Sequence, residues 1–550
     1  MTPSAARFPR PGDFWPLLPS WGVCLFAIWG HTYWISADGA SHLYNAVALA
    51  NYIGGDCGAY RELYFFNPYP VPNLTATLLL TWLTTIFPPL VAEKLFLSTY
   101  TLLLPLSLRY AIAALEPRGR SVAQLAFPLA LGLPVVAGWY NFAAGTVLAL
   151  FTLGFWLRQP QPLRRSARRR MLGLCLLVYL SHPFPLVVVA LVLGWMILWQ
   201  VRCEPATAAP FAMRVWRRAW PTVKPMLPAA GLLALFWVLY SILAGPGGSA
   251  AGPGGSSALR MLLRNEGLAP LTSGEFVLAP LFGAALLALL VAALIPREGR
   301  DLRLPTFGLL LAVGSLLLLV LAMPDRAMGG GNLVRRLLVF IPLILLVWLG
   351  ARPYVRPVGF ALAAFALVTT AGQVAFRLPL HDAIEEFHAE LRHAGAAIEA
   401  NDVLLSRALD WTVVPRPEVP PILLRNAPGY LVADRCFVDL SNYEGRLLYS
   451  PLVFRPGLQA FHGADPAALA HALEGERPPD RVLLWGVPER LTPQRQAEAE
   501  DLHHALGPRF DLESHAERQG LSSWLYRRRE SPGGEDAAGS AAPPARSSPR

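Results

Sequence analysis

Apolar runs as long as a lipid bilayer is thick recur along most of this chain. The first, from Pro16 to Ile35, has no formally charged residue and is about 20 residues long, the length that a helix needs to cross the hydrocarbon core. Backbone polar groups in lipid must be paired within their own segment, so such runs are expected to be helices. Further spans are predicted at roughly 94–115, 121–138, 141–157, 171–181, 183–200, 226–244, 276–295, 306–323, 333–350 and 358–375. The pattern predicts an α-helical polytopic membrane protein with about 11 transmembrane helices.

The composition agrees with this class. Hydrophobic residues make up 54% of the chain and charged residues 15%, against about 25% charged in a soluble domain. The net charge is +10, but no basic-aromatic module is present, so nucleic acid is not expected as a partner. The five cysteines form no C-x-x-C pair, which argues against a zinc or redox motif. Cys57 and Cys436 both fall in predicted outer segments, and a bond between them is left open.

The arginines decide the orientation of the spans. With the N-terminus in the cytoplasm, every dense cluster falls in an inner loop, as the positive-inside rule requires. The clusters lie at 118–120, 158–170, 202–224, 297–303 and 352–356. The alternation requires that residues 171–200 form two short helices broken at His182-Pro183, and proline disfavours helix in the residue before it. We therefore expect a multi-pass protein of a bacterial inner (cytoplasmic) membrane with an extracytoplasmic C-terminal region.

The chain divides into three predicted regions. Residues 1–375 form the membrane domain, and 36–93 are its first extracytoplasmic loop. Within that loop the apolar stretch 74–87 is too short to span and is typical of an interfacial or re-entrant helix. Residues 380–527 have a soluble composition and predict a small α/β domain, while 528–550 are predicted to be a disordered tail. The elements predicted in the α/β domain are strands at 403–405, 481–485, 510–512 and 524–526 and a helix at 497–506.

Asp38 and His42 are the first candidate site residues. They follow the first span directly and are spaced i and i+4, which places them on one face of a helix that begins near Ser36. One interpretation is a functional pair at the membrane surface. The other is that Asp38 is a helix N-cap, since aspartate is a preferred capping residue. One acid and one histidine are too few ligands to identify a metal ion.

Other polar residues are predicted to reach the same outer face from several hairpin ends. Ionisable groups at this depth usually face a cavity or mark a functional path, although loop residues are polar for other reasons too. Arg335 and Arg336 open a span, where two positive charges oppose the helix dipole, and this favours an anionic partner. The full set is Asp38, His42, Arg61, Glu62, Lys94, Tyr140, Asn141, His182, Asn332, Arg335 and Arg336.

Three segments give this chain a family resemblance: Asp38-Gly39-Ala40-Ser41-His42, Tyr179-Leu180-Ser181-His182-Pro183, and Met323 through Arg335. With a first span, an acidic motif after it, a juxtamembrane helix and an outer C-terminal domain, the chain resembles the GT-C class of polytopic glycosyltransferases. The resemblance implies transfer of a sugar from a polyprenyl-phosphate donor to a glycan, lipid or protein acceptor at the extracytoplasmic face, with inversion. The chain departs from the pattern in one respect. Many members carry two acids in the first loop, and only Asp56 or Glu62 is available here as a second carboxylate.

The resemblance also implies roles for the candidate residues. Asp38 and His42 would be catalytic, and they would also be the ligands of a divalent cation such as Mg²⁺ or Mn²⁺. Arg335, Arg336, Lys94 and Arg61 would hold the donor phosphate. Glu62, Tyr140, Asn141, His182 and Asn332 would line the substrate pocket.

Two other functions remain open. A transporter or flippase for a lipid-linked sugar would also gather polar residues, but near the bilayer midplane and commonly with inverted repeats, and no repeat is visible. A non-catalytic assembly or sensor protein would use its outer domain to bind a partner. Neither requires a base at Asp38, so activity of an Asp38 variant separates them from the enzyme.

Overall fold

The structure is a computed structural model that describes residues 15–55, 57–205, 208–243, 255–295, 306–326, 331–410, 412–416, 418–456, 473, 477–518 and 520–529. Asp56 and all but the first two residues of the predicted tail 528–550 lie outside this range.

The described residues are mainly helical. The helices are α1 Leu18–Trp29, α2 Gly39–Gly54, α3 Gly58–Leu63, α4 Thr75–Thr84, α5 Pro89–Leu115, α6 Ala126–Ala130, α7 Leu133–Val136, α8 Tyr140–Arg158, α9 Arg165–Ser181, α10 Pro183–Cys203, α11 Phe211–Val223, α12 Leu227–Leu243, α13 Gly255–Leu263, α14 Glu275–Leu294, α15 Phe307–Ala322, α16 Leu333–Gly350, α17 Arg356–Ala394 and α18 Pro493–Leu506. Eight helical stretches of the described residues are long and apolar enough to cross a membrane, and three shorter apolar helices accompany them. The predicted polytopic helical class is confirmed, and the number of about 11 spans stays a prediction.

The predicted break at His182-Pro183 is confirmed. Helix α9 ends at Ser181 and α10 begins at Pro183, and His182 between them is extended, with φ −168° and ψ 137°. The proline forces this geometry because it restricts the residue before it to extended backbone.

Three predicted spans differ from the observed elements. The first, 16–35, is helical only over Trp15–Trp29 and is therefore shorter than predicted. Residues 121–138 are not one helix but a 3₁₀ segment, Pro117–Leu125, followed by α6 and α7, because prolines at 128 and 134 remove the backbone donors that a continuous helix needs. Helix α17 does not end near 375 but runs for 39 residues to Ala394. Its second half buries an apolar stripe at helical spacing against the C-terminal domain, comprising Leu380, Ala383, Ile384, Phe387 and Leu391. The predicted boundary at 375–380 therefore falls inside a helix.

The C-terminal domain contains a five-stranded mixed sheet. Its strands are β2 Val403–Ala408, β3 Val438–Asp439, β5 Arg481–Gly486, β6 Phe510–Arg518 and β7 Leu521–Arg528, in the order β3-β2-β5-β7-β6. Strands β3, β2 and β5 are parallel, whereas β5, β7 and β6 pair antiparallel. Each predicted strand lies within an observed one, which confirms the small α/β domain.

Two links join the first loop to this domain. Strand β1 Tyr64–Phe66 pairs antiparallel with β4 Leu452–Phe454. Cys57 and Cys436 form a disulfide with their Cα atoms 6.3 Å apart, 379 residues apart in sequence. The pairing that the sequence left open is therefore made.

A buried carboxylate connects α5, α8 and the C-terminal domain. Glu93 of α5 is 1% exposed. The hydroxyl of Tyr140, at the start of α8, donates to Glu93 Oε1 at 2.6 Å, and the hydroxyl of Tyr430 lies 3.1 Å from both carboxylate oxygens. These hydrogen bonds offset the cost of removing the carboxylate from water. We call Glu93, Tyr140 and Tyr430 the carboxylate clamp.

The first turn of α2 packs directly on this clamp. The Gly39 amide donates to Ser36 Oγ at 2.9 Å. A Cβ atom at position 39 would lie 2.5 Å from the Tyr140 hydroxyl, 2.7 Å from Ser36 Oγ and 2.9 Å from Glu93 Oε1. Only glycine fits here, so the clamp determines how α2 enters the site.

We expect Gly39→Ala to destabilise the protein by about 1–3 kcal/mol, because the added methyl overpacks a rigid polar contact. Thermal unfolding of the detergent-solubilised protein measures the effect. Gly22→Ala in α1 is the matched control, since a Cβ there meets nothing within 4 Å. Equal melting temperatures for the two variants would contradict the close packing of Gly39.

Candidate active site

Asp38 is the last residue before α2, but its carboxylate does not cap that helix. Ser36 provides the cap through the Gly39 amide. Asp38 Oδ1 instead accepts a hydrogen bond of 2.9 Å from Asn426 Nδ2, which also donates to the Ala37 carbonyl at 3.1 Å. The capping interpretation of Asp38 is wrong, and its carboxylate faces the C-terminal domain.

The surroundings of Asp38 change its acidity. Burial raises the pKa of the Asp38 carboxyl to about 6, and the negative charge of Glu444 acts in the same direction. His42, Arg425 and Arg336 act in the opposite direction through their positive charge. A general base works best when its pKa lies near the operating pH. Asp38 is therefore a suitable group to accept a proton near neutral pH.

His42 lies one turn further along α2 and points to a second carboxylate. Its Nδ1 is 3.4 Å from Glu444 Oε1, and its ring stacks on that of Tyr140 at a centroid distance of 5.4 Å. Glu444 Oε2 also accepts from Asn45 Nδ2 at 3.0 Å. Asp38 and His42 thus share one region, with Glu444 beside them.

A second acid comes from the C-terminal domain, and the predicted candidate Asp56 lies outside the described residues. Glu444 follows the polar run 439–443, and Glu93 lies in an apolar helix. Sequence reasoning missed both as site residues. An acid inside an apolar helix is a signal that could have identified Glu93. Glu62, the other predicted candidate, is 63% exposed and pairs with Arg477 at 3.3 Å.

Arg336 and His182 are in contact near Asp38. The guanidinium of Arg336 lies over the rings of Trp139 and Phe142, at 4.6 and 5.1 Å from their centroids. Its Nη1 contacts His182 Nε2, and its buried Nε has no hydrogen-bond partner among the described residues. Arg336 is close enough to Asp38 to act on its charge.

The tautomer of His182 makes this contact informative. His182 Nδ1 accepts the Phe184 amide at 3.1 Å and caps α10. A neutral imidazole whose Nδ1 accepts must carry its proton on Nε2. The Nε2–H group of His182 and the N–H groups of Arg336 are then hydrogen-bond donors that lie side by side. An anionic oxygen placed between them would accept hydrogen bonds from both residues.

The neighbouring Arg335 points elsewhere. Its Nε pairs with Glu266 at 3.4 Å, and its Nη1 donates to Asn332 Oδ1 at 3.2 Å. Consecutive residues of a helix do not share a face, so only Arg336 of this pair faces Asp38. Asn332, with φ 57°, acts here as a partner of Arg335.

Lys94 and Arg61 hold other parts of the structure. Lys94 Nζ donates to the His31 carbonyl at 2.5 Å. Arg61 donates to the carbonyls of Tyr52 and Ile53 at 2.8 and 2.9 Å and so closes the C-terminal end of α2. That helix has 16 residues, which places Arg61 roughly 24 Å from the Asp38 end.

Asn141 has a structural contact as well. Its Oδ1 accepts the Ala76 amide at 2.8 Å and its Nδ2 donates to Thr77 Oγ1 at 3.1 Å, so it caps α4. The structure therefore brings Asp38, His42, Tyr140, His182 and Arg336 together.

The protein ligands for a divalent cation are few. Asp38 and His42 are the predicted ligands, and Asp38 Oδ1 is already engaged by Asn426. Within the described ranges no group of three or more His, Cys, Asp or Glu side chains is arranged to hold a metal ion. These residues do not form a three-ligand protein site, and a divalent cation at Asp38 and His42 stays a prediction.

Comparison with known proteins gives one informative likeness. No family model matches the chain, and no curated protein matches it. The crystal structure of ArnT from Cupriavidus metallidurans bound to undecaprenyl phosphate matches with a TM-score of 0.50 and 12% identity, covering 93% of this chain and 97% of that chain. The same protein in the apo state matches with a TM-score of 0.36 and 13% identity, over 88% and 93%. The chain has the ArnT-like fold, which confirms the resemblance to the GT-C class at the level of the fold.

Proposed function

We propose that this protein is an integral membrane glycosyltransferase that moves a sugar from a polyprenyl-phosphate donor to an acceptor at the extracytoplasmic face. The observation that carries the proposal is one site that combines a poised carboxylate, Asp38, with convergent donors from Arg336 and His182. The ArnT structure with the shared fold is bound to undecaprenyl phosphate, which supports a lipid-linked phosphate as the ligand of those donors.

In the proposed reaction, Arg336 and His182 hold the donor phosphate. The acceptor oxygen forms a bond to the anomeric carbon while the bond from that carbon to the phosphate oxygen breaks, and the electron pair leaves with the phosphate. Asp38 takes the proton of the acceptor hydroxyl. Arg336 stabilises the negative charge that develops on the leaving group, and a single displacement of this kind inverts the anomeric centre.

The other site residues position these groups. Glu444 and Tyr140 orient the ring of His42, and His42 acts on the pKa of Asp38 against the effect of burial. Asn426 holds Asp38 Oδ1 and leaves the second oxygen of the carboxylate for the acceptor proton.

The proposed face has independent support. Disulfides persist in oxidising compartments and are rare in the cytosol, and Cys57–Cys436 joins the first loop to the C-terminal domain. Both segments would therefore lie outside the cytoplasm, as the arginine distribution also predicts.

Asp38→Asn is expected to reduce sugar transfer by about 100-fold to 10,000-fold, because an amide cannot accept the proton. Membranes of cells producing each variant are supplied with labelled polyprenyl-phosphate sugars, and labelled product is measured at equal protein levels. In the wild type the rate should fall as the pH drops through about 6, where Asp38 becomes protonated. Glu62→Gln, at an exposed ion pair, is the control and should keep full activity. Transfer by Asp38→Asn at the wild-type rate would refute the enzyme and favour a transporter or an assembly protein.

Arg336→Gln and Arg335→Gln form a matched pair of adjacent substitutions. We expect Arg336→Gln to lower transfer by about 100-fold, the typical effect of removing one donor to a developing anion. Arg335→Gln should retain most of the activity, because that side chain pairs with Glu266 outside the site. The same membrane assay applies, and equal losses in both variants would refute the assignment of Arg336 to the phosphate.

The proposed face is tested by labelling intact spheroplasts with a membrane-impermeant maleimide. In Cys57→Ser the partner Cys436 is released from the disulfide and should become labelled from outside. The Cys57→Ser/Cys436→Ser double variant should lose that labelling. Labelling of Cys436 only after the membrane is permeabilised would place the C-terminal domain in the cytoplasm.

A further inference from the structure

A cavity of about 190 Å³ lies between α2 and the C-terminal sheet. Its floor is formed by residues at the carboxyl ends of the three parallel strands: Leu409 and Asp410 after β2, Ser441 to Tyr443 after β3, and Trp485 near the end of β5. In open sheets with parallel strands, ligands bind at this edge. The cavity therefore lies where a binding site is expected, and the proposed roles of Asp38, Arg336 and His182 leave it without an assigned ligand.

The opposite wall of the cavity belongs to the active site. Ser41 and Tyr44 of α2 line it, as does the segment from Asn426 to Gly429. A Cβ atom at Gly429 would lie 2.6 Å from the Ala40 carbonyl oxygen, so the domain and α2 are in direct backbone contact. Asn426 lines the cavity and also donates to Asp38. Asn426 therefore contacts both the cavity and the proposed base, Asp38.

The lining offers both hydrogen-bond donors and acceptors. Asp410 lies 3.7 Å from Arg495, and Asp439 is fixed by Ser406 Oγ at 3.0 Å and the Ser441 amide at 2.9 Å. Hydroxyl groups donate and accept at once, so a mixed lining of this kind suits a polyhydroxylated ligand. The lining also contains the guanidinium groups of Arg407, Arg425 and Arg495, so positive and negative charges are mixed there, whereas a lipid chain would require an apolar lining.

The size of the cavity limits the ligand. Its volume is about 190 Å³. It lies below the range of about 300–1,000 Å³ of sites for drug-sized molecules. One sugar ring is the polyhydroxylated group that matches this volume.

We propose that this cavity binds a saccharide unit of the acceptor and directs one of its hydroxyls past Asn426 to Asp38. The inference rests on the proposed function and narrows the acceptor to a glycan or a lipid-linked glycan. It also assigns a role to the C-terminal domain, which carries most of the acceptor subsite.

The test uses the purified full chain in detergent and a panel of neutral hexoses and hexosamines, with binding followed by saturation-transfer NMR. Ala408 lines the cavity, and Ala408→Leu fills it without removing any group of the active site. We expect at least one saccharide to bind the wild type and to bind Ala408→Leu about tenfold more weakly. Arg495→Gln, a second lining variant, should also weaken binding. Arg518→Gln, whose side chain pairs with Glu390, is the control and should bind normally.

Saccharide binding that is equal in the wild type, Ala408→Leu and Arg495→Gln would overturn the proposal, as would binding of inorganic phosphate alone or of no saccharide. Donor cleavage in the membrane assay separates this result from the parent proposal. If cleavage depends on Asp38 while the cavity variants bind saccharide normally, only the acceptor subsite is refuted. If cleavage does not depend on Asp38, the glycosyltransferase itself is refuted.

Discussion

The structure depends on how one buried carboxyl group is hydrogen-bonded. A carboxyl group removed from water is costly unless it has hydrogen-bond partners, and Glu93 obtains its partners from Tyr140 and Tyr430. These two residues come from a membrane helix and from the C-terminal domain. Because the acid needs both, the helices and the domain have a fixed mutual position, and Gly39 lets α2 approach this point closely.

The acidity of Asp38 follows from that arrangement. The C-terminal domain covers the start of α2 with Asn426, Gly429 and Glu444 and shields the half-buried carboxyl of Asp38. Burial and the charge of Glu444 then raise the pKa of Asp38 into the range where a carboxylate is an effective base. An isolated first loop would leave the same aspartate in water, with its ordinary pKa of about 3.9. The C-terminal domain is thus part of the catalytic apparatus that we propose.

The donor side is built from an interruption in the helices. The break before Pro183 leaves His182 extended, and the Nδ1 atom of His182 accepts a hydrogen bond from the Phe184 amide. This leaves the Nε2 proton to face Arg336 at the start of α16. A charge buried over two aromatic rings beside another donor is costly without an acceptor, so the geometry favours an anion. The phosphate and the acceptor would then approach Asp38 from different elements, as a displacement requires.

Local patterns were sufficient for much of this protein. Apolar runs predicted the helical class, the proline after His182 predicted the break, and short apolar runs predicted the strands of the C-terminal domain, because each depends on residues close in sequence. The pair Asp38 and His42 was also visible, since its i, i+4 spacing is local. The continuation of α17 through residue 394 was missed because the composition becomes soluble after Phe376. Its apolar residues do recur at helical spacing, and they pack on the C-terminal domain.

Tertiary structure alone decided which polar groups work together. Asn426 and Asp38 are 388 residues apart, and Tyr430 and Glu93 are 337 apart, so no spacing rule connects them. The fold also places the side chain of Arg336, but not that of Arg335, near Asp38. The side chains of Arg61, Glu62 and Lys94 make their contacts away from Asp38. By itself the sequence determined the helices, the strands and one acidic motif, because these depend on neighbouring residues. The partners, the burial and therefore the acidity of that motif came from the fold, because they depend on side chains that only long-range packing brings together.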